Sequence, residues 1–452
     1  MAIFLLFCIC YLHNVSLKIT HIKRRRADFP IPGRRKGRCA MNFSSMSADR
    51  MQYLRDNAIR DILSAAARPG MISLAGGVPA PESFPMDVLG LLFDQALSAF
   101  GPRALQYDRT EGFAPLCQAL SAHLAHCGVH APPSGVIITS GAQGALDALG
   151  KTLITPGDTV AVESPTYLGA LQAFSPYRPR FEELPMDDQG LDPEALDALL
   201  RARRVKFIYL CPTFQNPTGR TLSLERRKRV AQIIQSRGVL LIEDDPYRDL
   251  RYSGEPVHTI HSMAPDHVAY VGTLSKVFAP AFRIGYCVAP GPVQRWLVKA
   301  KQGVDLCSGT LGQALAALYI ADGHLDRHLP HIVALYRARL HAMLEALQQH
   351  MPRGSQWSRP QGGMFVWVRG PAGFDAAAAY AEALKSNVAY VPGRYFFANT
   401  PQPETMRLNF TAHDPETVAR GVQVLAGIIK TRVDRRHAPA HEDIHKPLLH
   451  RI

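Results

Sequence analysis

No CxxC pair occurs among the eight cysteines of this 452-residue chain, and no Cys/His cluster has zinc-ligand spacing, so no metal site is expected. Scattered cysteines in a long chain fit buried, reduced thiols in a cytosolic compartment. A membrane span is also missing. Met1 to Leu12 is apolar, but about 12 residues fall short of the roughly 20 that a spanning helix needs. A secretory signal would put positive charge ahead of the apolar run, and here Lys23–Arg26 follow it. The body lacks strong charge of either sign. Of the net +13, the first 40 residues supply +8 and residues 431–452 supply +2, which leaves +3 for everything between. So small an excess is no nucleic-acid footprint. Residues 1–45 lack organised periodicity and are expected to be a disordered extension, with Met41 or Met46 as a candidate natural start; a weak membrane or targeting segment and a functional basic arm are the alternatives. No internal repeat or low-complexity tract breaks the body.

What is present is an ordinary globular composition, 47% apolar and 20% charged, in a chain long enough for more than one domain. Apolar residues recur at helical spacing from Asp49 to Ala66, and Arg68-Pro69-Gly70 closes that segment. Short apolar runs then alternate with helical patterns: Gly135–Thr139, Thr159–Glu163, Val205–Cys211, Val239–Glu243, Val268–Gly272 and Gly285–Ala289. Strands alternating with helices predict an α/β fold with a mainly parallel sheet covered on both faces. From about Asp326 a long helical pattern (Leu329 to His350) precedes the runs Met364–Val368, Val388–Val391 and Met406–Phe410, with a helix near Pro415–Ile429. That part reads as a smaller α+β domain.

Several residues carry chemistry. Lys276 follows an apolar strand and sits beside Thr273 and Ser275, with Arg283 seven residues on. A lysine so placed resists burial unless its proton affinity falls or it becomes covalently bound, as Schiff-base chemistry requires. Thr273 and Arg283 offer a hydroxyl and a forked guanidinium to a phosphate; an ordinary lysine in a helix-starting turn is the alternative. Glu243-Asp244-Asp245-Pro246-Tyr247 follows the strand Val239–Ile242, where α/β sheets bind ligands, although for this motif alone a helix N-cap Asp is the better explanation. Asn216-Pro217-Thr218-Gly219 is by default a turn. Ser140-Gly141-Ala142-Gln143-Gly144 opens a helix after a strand and leaves backbone N–H groups free for a phosphate. Tyr167 could stack on a flat ring or fill the core. Arg407, inside an apolar strand pattern, wants a carboxylate, either a substrate's or an internal one.

Together, in this order, these segments resemble the pyridoxal-phosphate (PLP)-dependent aminotransferases of class I/II, the fold-type I group, from about Met51 to Ile429. Ile72-Ser73-Leu74-Ala75-Gly76-Gly77-Val78-Pro79, Leu105-Gln106-Tyr107 and Gly362-Gly363-Met364-Phe365-Val366-Trp367 extend the match, and the branch containing 2-aminoadipate and kynurenine aminotransferases is the most similar. The resemblance implies a large PLP-binding domain at 86–325, a C-terminal small domain at 326–430 and a tail at 431–452. An N-terminal arm at 46–85 would pack with the small domain and a dimer partner. It also implies roles. Lys276 would hold the cofactor covalently and then move protons. Asp244 would face the pyridine nitrogen in preference to Asp245, because the family's Tyr lies three positions after the functional Asp. Asn216 and Tyr247 would bind the ring oxygen and Tyr167 would stack on the ring. Ala142, Gln143, Thr273, Ser275 and Arg283 would hold the phosphate, and Tyr107 would reach the phosphate in a neighbouring subunit, making a homodimer with shared active sites. Arg407 would hold the substrate α-carboxylate, with Asn216 beside it, and Gly76 and Gly77 would line the entrance.

Ala142 stands where relatives often carry Ser, and Thr273 replaces the usual Ser. The expected reaction moves an amino group between an L-amino acid and a 2-oxo acid, 2-oxoglutarate being the expected acceptor, in the cytoplasm. Arg60 matches an Arg that meets a distal carboxylate in aminoadipate-transferring relatives, although pairing with Asp56 or Asp61 accounts for it equally. Aromatic and branched-chain donors stay open. Lyase or decarboxylase chemistry on the same cofactor is one alternative. The other is a PLP-binding transcription regulator without its DNA-binding domain; about 45 residues precede the body, and a winged helix-turn-helix needs roughly 60.

Overall fold

The computed structural model describes residues 43–54, 62 and 64–437. A short strand β1 (Ile72–Ser73) leads from the N-terminal segment into the main sheet, whose strands are β2 (Val136–Ser140), β3 (Thr159–Ser164), β4 (Arg180–Asp187), β5 (Gly190–Leu191), β6 (Phe207–Leu210), β7 (Leu240–Asp244), β8 (Val268–Thr273) and β9 (Ile284–Val288). Their spatial order is β2-β9-β8-β7-β6-β3-β4-β5. The pairs β3·β4, β3·β6, β6·β7 and β7·β8 are parallel, while β9 runs against both neighbours and β5 against β4. The central strands are apolar on both faces because both faces are covered. Side-chain alternation sends Phe207, Tyr209, Ile242 and Val271 into one core, against the helices Gly141–Leu153 and Gly291–Gln302. Ile208, Leu210, Leu241 and Val268 enter the other, against the helices Pro193–Ala202 and Leu224–Arg237. The ends of those helices follow local chemistry. Asp192 accepts from Glu194 N with Pro193 at the first helical position, and Ser223 accepts from Arg226 N. Gly238, at φ 61°, closes the second helix in the left-handed region.

A second sheet follows, with strands β10 (Gln356–Trp357), β11 (Phe365–Arg369), β12 (Val388–Ala389), β13 (Val391–Pro392) and β14 (Thr405–Asn409). Four of them form an antiparallel sheet in the order β10-β11-β14-β13. β12 instead pairs in parallel with β1, Ile72 against Val388. Leu74 prolongs this pairing: its N–H donates to Ala389 O, and its carbonyl accepts from Asn409 N. The segment leading to Gly77 is therefore strapped to the C-terminal strands. The helices His324–His350 and Pro415–His437 accompany this part. The α/β class and the mainly parallel sheet are as expected.

Differences have physical causes. The six apolar runs each contain a strand displaced by no more than two residues at either end. β4 escapes the sequence reading because its sequence, Arg-Phe-Glu-Glu-Leu-Pro-Met-Asp, carries charge and a proline, which suit its place near the sheet edge. The helical pattern from Asp49 begins as 3-10 turns, Asp49–Tyr53, while residues 55–61 and 63 lie outside the described residues. The long helix begins at His324, ahead of the pattern, and carries Pro330 in its second turn. Among the described residues no helix is long and apolar enough to cross a membrane, and none of the described His, Cys, Asp and Glu residues form a metal-binding group of three.

Candidate active site

The turns leaving the carboxyl ends of β2, β3, β6, β7 and β8 meet at one edge of the main sheet. They enclose a cavity of about 500 Å³, which β11, β14 and the Gly77 segment close from the other side. Lys276 enters it three residues after β8. Its Nζ donates to Gly77 O at 3.1 Å. Burial first, then the nearby Arg283 and Arg407 charges, push its amine down to about 8. The residue as a whole is only partly buried, because its side chain opens onto the cavity.

Asp244 is the last residue of β7. Its Oδ2 accepts from Tyr209 Oη at 2.7 Å, while Oδ1 is buried without a protein partner. Burial raises its carboxyl to about 7 against the opposing Tyr209 hydrogen bond, and Asp245 adds to the rise. Its two neighbours are engaged elsewhere. Glu243 accepts from Ile260 N and His261 N at 2.9 and 2.8 Å, and Asp245 pairs with Arg248 at 2.6 Å. Of these three acids only Asp244 lines the cavity.

Arg407, in β14, is 7% exposed. It donates to Asn216 Oδ1 and to Ala75 O, each at 2.8 Å, and its Nε has no partner. Its guanidinium lies 4.1 Å from the Phe365 ring centroid and 5.0 Å from that of Phe396. Its cavity neighbours include no ion-paired carboxylate among the described residues. Burial lowers its guanidinium to about 10, opposed by Tyr247 and Tyr167. Because Arg407 can only donate, it orients Asn216: Oδ1 faces the guanidinium, and Nδ2 donates to Tyr247 Oη at 3.1 Å. That leaves the Tyr247 proton free to donate elsewhere.

A cradle for an anion lies at the other end. Gly141, at φ 67°, opens the helix Gly141–Leu153, and its N–H donates to Arg283 O at 2.8 Å. A Cβ on Gly141 would meet the Arg283 guanidinium, a flexible side-chain end that could shift, and it is the left-handed φ that favours glycine here. Thr273 Oγ1 donates to Ile284 O at 2.8 Å and lies 2.9 Å from Ser275 Oγ. The Gln143 side chain is tied to Gly169 O at 2.7 Å, which leaves its backbone for the cavity. Ala142 and Tyr167 line the same space, and burial pushes the Tyr167 phenol up to about 12.

Lys276, Asp244, Asn216, Tyr247, Tyr167, Ala142, Gln143, Thr273, Ser275, Arg283, Arg407 and Gly77 all line this one cavity. Tyr107 does not: it is 76% exposed on the surface. Arg60 lies outside the described residues. Sequence reasoning assigned no site role to Phe365, although it quoted the segment containing it, and it missed Phe396 and Gln172. Phe365 sits in an apolar strand, where an aromatic reads as core. Phe396 ends the 3-10 turn Gly393–Phe396, which has no periodicity to mark it.

The donor set fits pyridoxal phosphate. An amine of lowered proton affinity suits its aldehyde, the unpartnered Asp244 Oδ1 suits its pyridine nitrogen, Asn216 and Tyr247 suit its ring oxygen, and the Gly141 cradle with Arg283 suits its phosphate. Such a site at the carboxyl edge of a mainly parallel α/β sheet defines a fold-type I PLP-dependent transferase.

Comparisons with known proteins narrow the class. Residues 91–425 match the family model "Aminotransferase class I and II". The aromatic-amino-acid aminotransferase 1 of Thermococcus litoralis is 41% identical over 402 residues, covering 87% of this chain and 96% of that protein. The crystal structure of a multiple substrate aminotransferase from Thermococcus profundus matches with TM-score 0.83 and 42% identity, over 87% of this chain and 100% of that one. The alpha-aminoadipate aminotransferase of Thermus thermophilus, solved with N-(5'-phosphopyridoxyl)-L-leucine, gives TM-score 0.82 and 36% identity, over 87% and 100%. This chain belongs to the class I and II aminotransferases: it is a PLP-dependent enzyme that transfers an amino group between amino acids and 2-oxo acids.

Proposed function

We propose that the amino donor is an L-amino acid with an aromatic or large apolar side chain, that the acceptor is 2-oxoglutarate, and that the cavity around Lys276 is where transfer occurs. One observation carries this reading: a buried guanidinium, Arg407, with no ion-paired carboxylate among the described lining residues, set between two aromatic rings. A bound α-carboxylate would supply its missing anion, and Phe365, Phe396, Val78 and Leu168 would face an apolar side chain. Lys276, Asp244 and Arg283 are the other charged groups in the described lining, and each suits the cofactor. The second carboxylate of 2-oxoglutarate would then need a cation from beyond the described lining, and Arg60 is the candidate from the sequence.

When bound, pyridoxal phosphate supplies an aldehyde that condenses with amines and a ring that accepts the electrons released at the substrate α-carbon. Lys276 would hold that aldehyde, and its Nζ, when free, would remove and return protons at the substrate α-carbon, a role suited to an amine of lowered proton affinity. Asp244 Oδ1 would face the ring nitrogen and favour its protonated form. Asn216 Nδ2 and the Tyr247 hydroxyl would donate to the ring oxygen, and Arg407 would orient the substrate. The lyase alternative finds no feature of its own here.

Tyr107, exposed on its own subunit, suits a homodimer in which it completes the partner's phosphate site. The five described cysteines are free, in keeping with a cytoplasmic setting. A panel of amino acids with 2-oxoglutarate tests the donor class. Phenylalanine, tyrosine or leucine should exceed aspartate in kcat/KM; a preference for aspartate would overturn the donor assignment. Borohydride reduction should fix pyridoxyl on Lys276, and label on another residue would overturn the site.

A further inference from the structure

We propose that Gln215, which lies outside the cavity lining, is a positioning residue that aligns Asn216 with both Arg407 and Tyr247 by clamping together two active-site turns. The inference rests on the proposed roles of Asn216 and Arg407.

Gln215 is 1% exposed, and its side-chain amide is engaged on every side. Nε2 donates to Pro165 O at 2.7 Å and to Glu163 Oε2 at 3.3 Å. Oε1 accepts from Thr218 N at 2.9 Å and from Thr218 Oγ1 at 2.6 Å. The donor half thus grips the turn after β3, which carries Tyr167, and the acceptor half grips the turn after β6, which carries Asn216. Glu163 braces the arrangement. Its Oε2 also accepts from Cys211 N at 2.9 Å, at the point where the chain leaves β6. Leucine fills a comparable volume, though it branches one atom earlier than glutamine, and can make none of these bonds, and each buried polar partner left behind costs stability. Asn216 has no freedom to compensate. Its two amide ends are committed to Arg407 and Tyr247, so a shift of its turn disturbs substrate carboxylate and ring oxygen together.

The test compares Gln215→Leu, Thr218→Val and the exchange Glu163→Gln/Gln215→Glu, which moves the amide donor to position 163. Three readouts are used: KM against kcat with phenylalanine, the midpoint of the pH titration of the bound cofactor's absorbance, and calorimetric binding to apoprotein of hydrocinnamate, an aromatic carboxylate without an amino group. Gln215→Leu should weaken hydrocinnamate binding and raise KM by about tenfold, and should move the absorbance midpoint. Thr218→Val should do the same to a smaller extent, and the exchange should recover part of the loss. A fall in melting temperature with all three readouts unmoved would make Gln215 merely structural and overturn the proposal. Should Gln215→Leu fail to fold, unchanged readouts in Thr218→Val would overturn it as well. Arg407→Ala separates the two levels. If it binds hydrocinnamate like the wild type, the reading of Arg407 is at fault; if it loses binding while the Gln215 and Thr218 variants keep it, the clamp alone is wrong.

Discussion

Arg227 and Arg407 are both buried guanidiniums of this fold, 0% and 7% exposed, and their surroundings differ in kind. Arg227 donates to Leu222 O, Pro212 O, Thr213 Oγ1 and His258 O and lies 3.8 Å from Glu243, so its charge and donors are met by the chain itself. Arg407 keeps an unused donor and has aromatic rings where an acid would be expected. The same split divides consecutive residues of one strand and turn. Glu243 is held by two backbone N–H groups and Asp245 by the Arg248 guanidinium, although one Asp245 oxygen stays unpartnered, while Asp244 has no ion pair among the described residues and turns its unpartnered oxygen towards the cavity. A buried charge matched by its own chain is accounted for without a ligand and is costly to break, whereas one left unmatched beside a cavity marks a candidate ligand site.

The comparison predicts opposite phenotypes for chemically similar changes. The largest effect should come from Lys276→Ala, which removes the amine proposed to move protons: steady-state transamination should fall by at least about a thousandfold while PLP still binds non-covalently. Near-normal turnover in that variant would end the assignment. Arg407→Ala should cost on the order of 2–4 kcal/mol of amino-acid binding, read as a rise in KM with the melting temperature little changed. Arg227→Met should reverse this pattern, losing about 3–5 kcal/mol of folding stability through the uncompensated Glu243, with KM preserved once folded. Matching phenotypes for the two arginines would erase the distinction. Asp244→Asn should lower kcat about a hundredfold with modest effect on stability, whereas Asp245→Asn should act mainly on stability by stranding Arg248.

The smallest effect is on pH dependence. Lys276 in the folded apoprotein titrates near 8, below the 10.5 of a free lysine. Between those values the unfolded chain binds more protons, so the cost of holding the charged amine is present below about pH 8 and fades as pH rises towards 10.5. Apoprotein stability should therefore gain with pH across that window relative to Lys276→Met, and covalent capture of added PLP should quicken as pH rises through about 8. Asp244 acts oppositely. Its carboxyl is raised from 3.8 to about 7, so its destabilisation grows as pH climbs through that interval. Parallel stability profiles for wild type and Lys276→Met would break the argument for the amine.

How much of this is legible in the sequence follows from what each residue has to signal. The buried strands of the main sheet announce themselves as apolar runs because two covered faces leave no place for polar alternation. β4, near the edge, has no such constraint and leaves no such run. The choice of Asp244 over Asp245 comes from the family resemblance, in which the Tyr lies three positions after the functional Asp. Strand alternation supplies the physical counterpart, since Glu243 and Asp244 must point to opposite faces. Position after an apolar strand marks Lys276 and an Arg inside an apolar strand pattern marks Arg407, whereas Asn216 reads as a turn until the family resemblance gives it a role. The aromatic walls give no signal, because Phe365 looks like core and Phe396 sits in a turn. Gln215 is unreadable for a different reason: its importance lies in partners fifty residues away in sequence, which only the folded chain brings together.

Ala75 and Gly77 sit two residues apart in the strapped segment, and their carbonyls receive the Arg407 guanidinium and the Lys276 amine respectively. A peptide of that length spans no more than about 7 Å, so one stretch of main chain works as a fixed gauge between the group that would grip the acid end of an amino acid and the group that would meet its nitrogen end. Lengthening that stretch by a single inserted glycine would leave every side chain in place chemically, yet the two grips would no longer measure the same molecule.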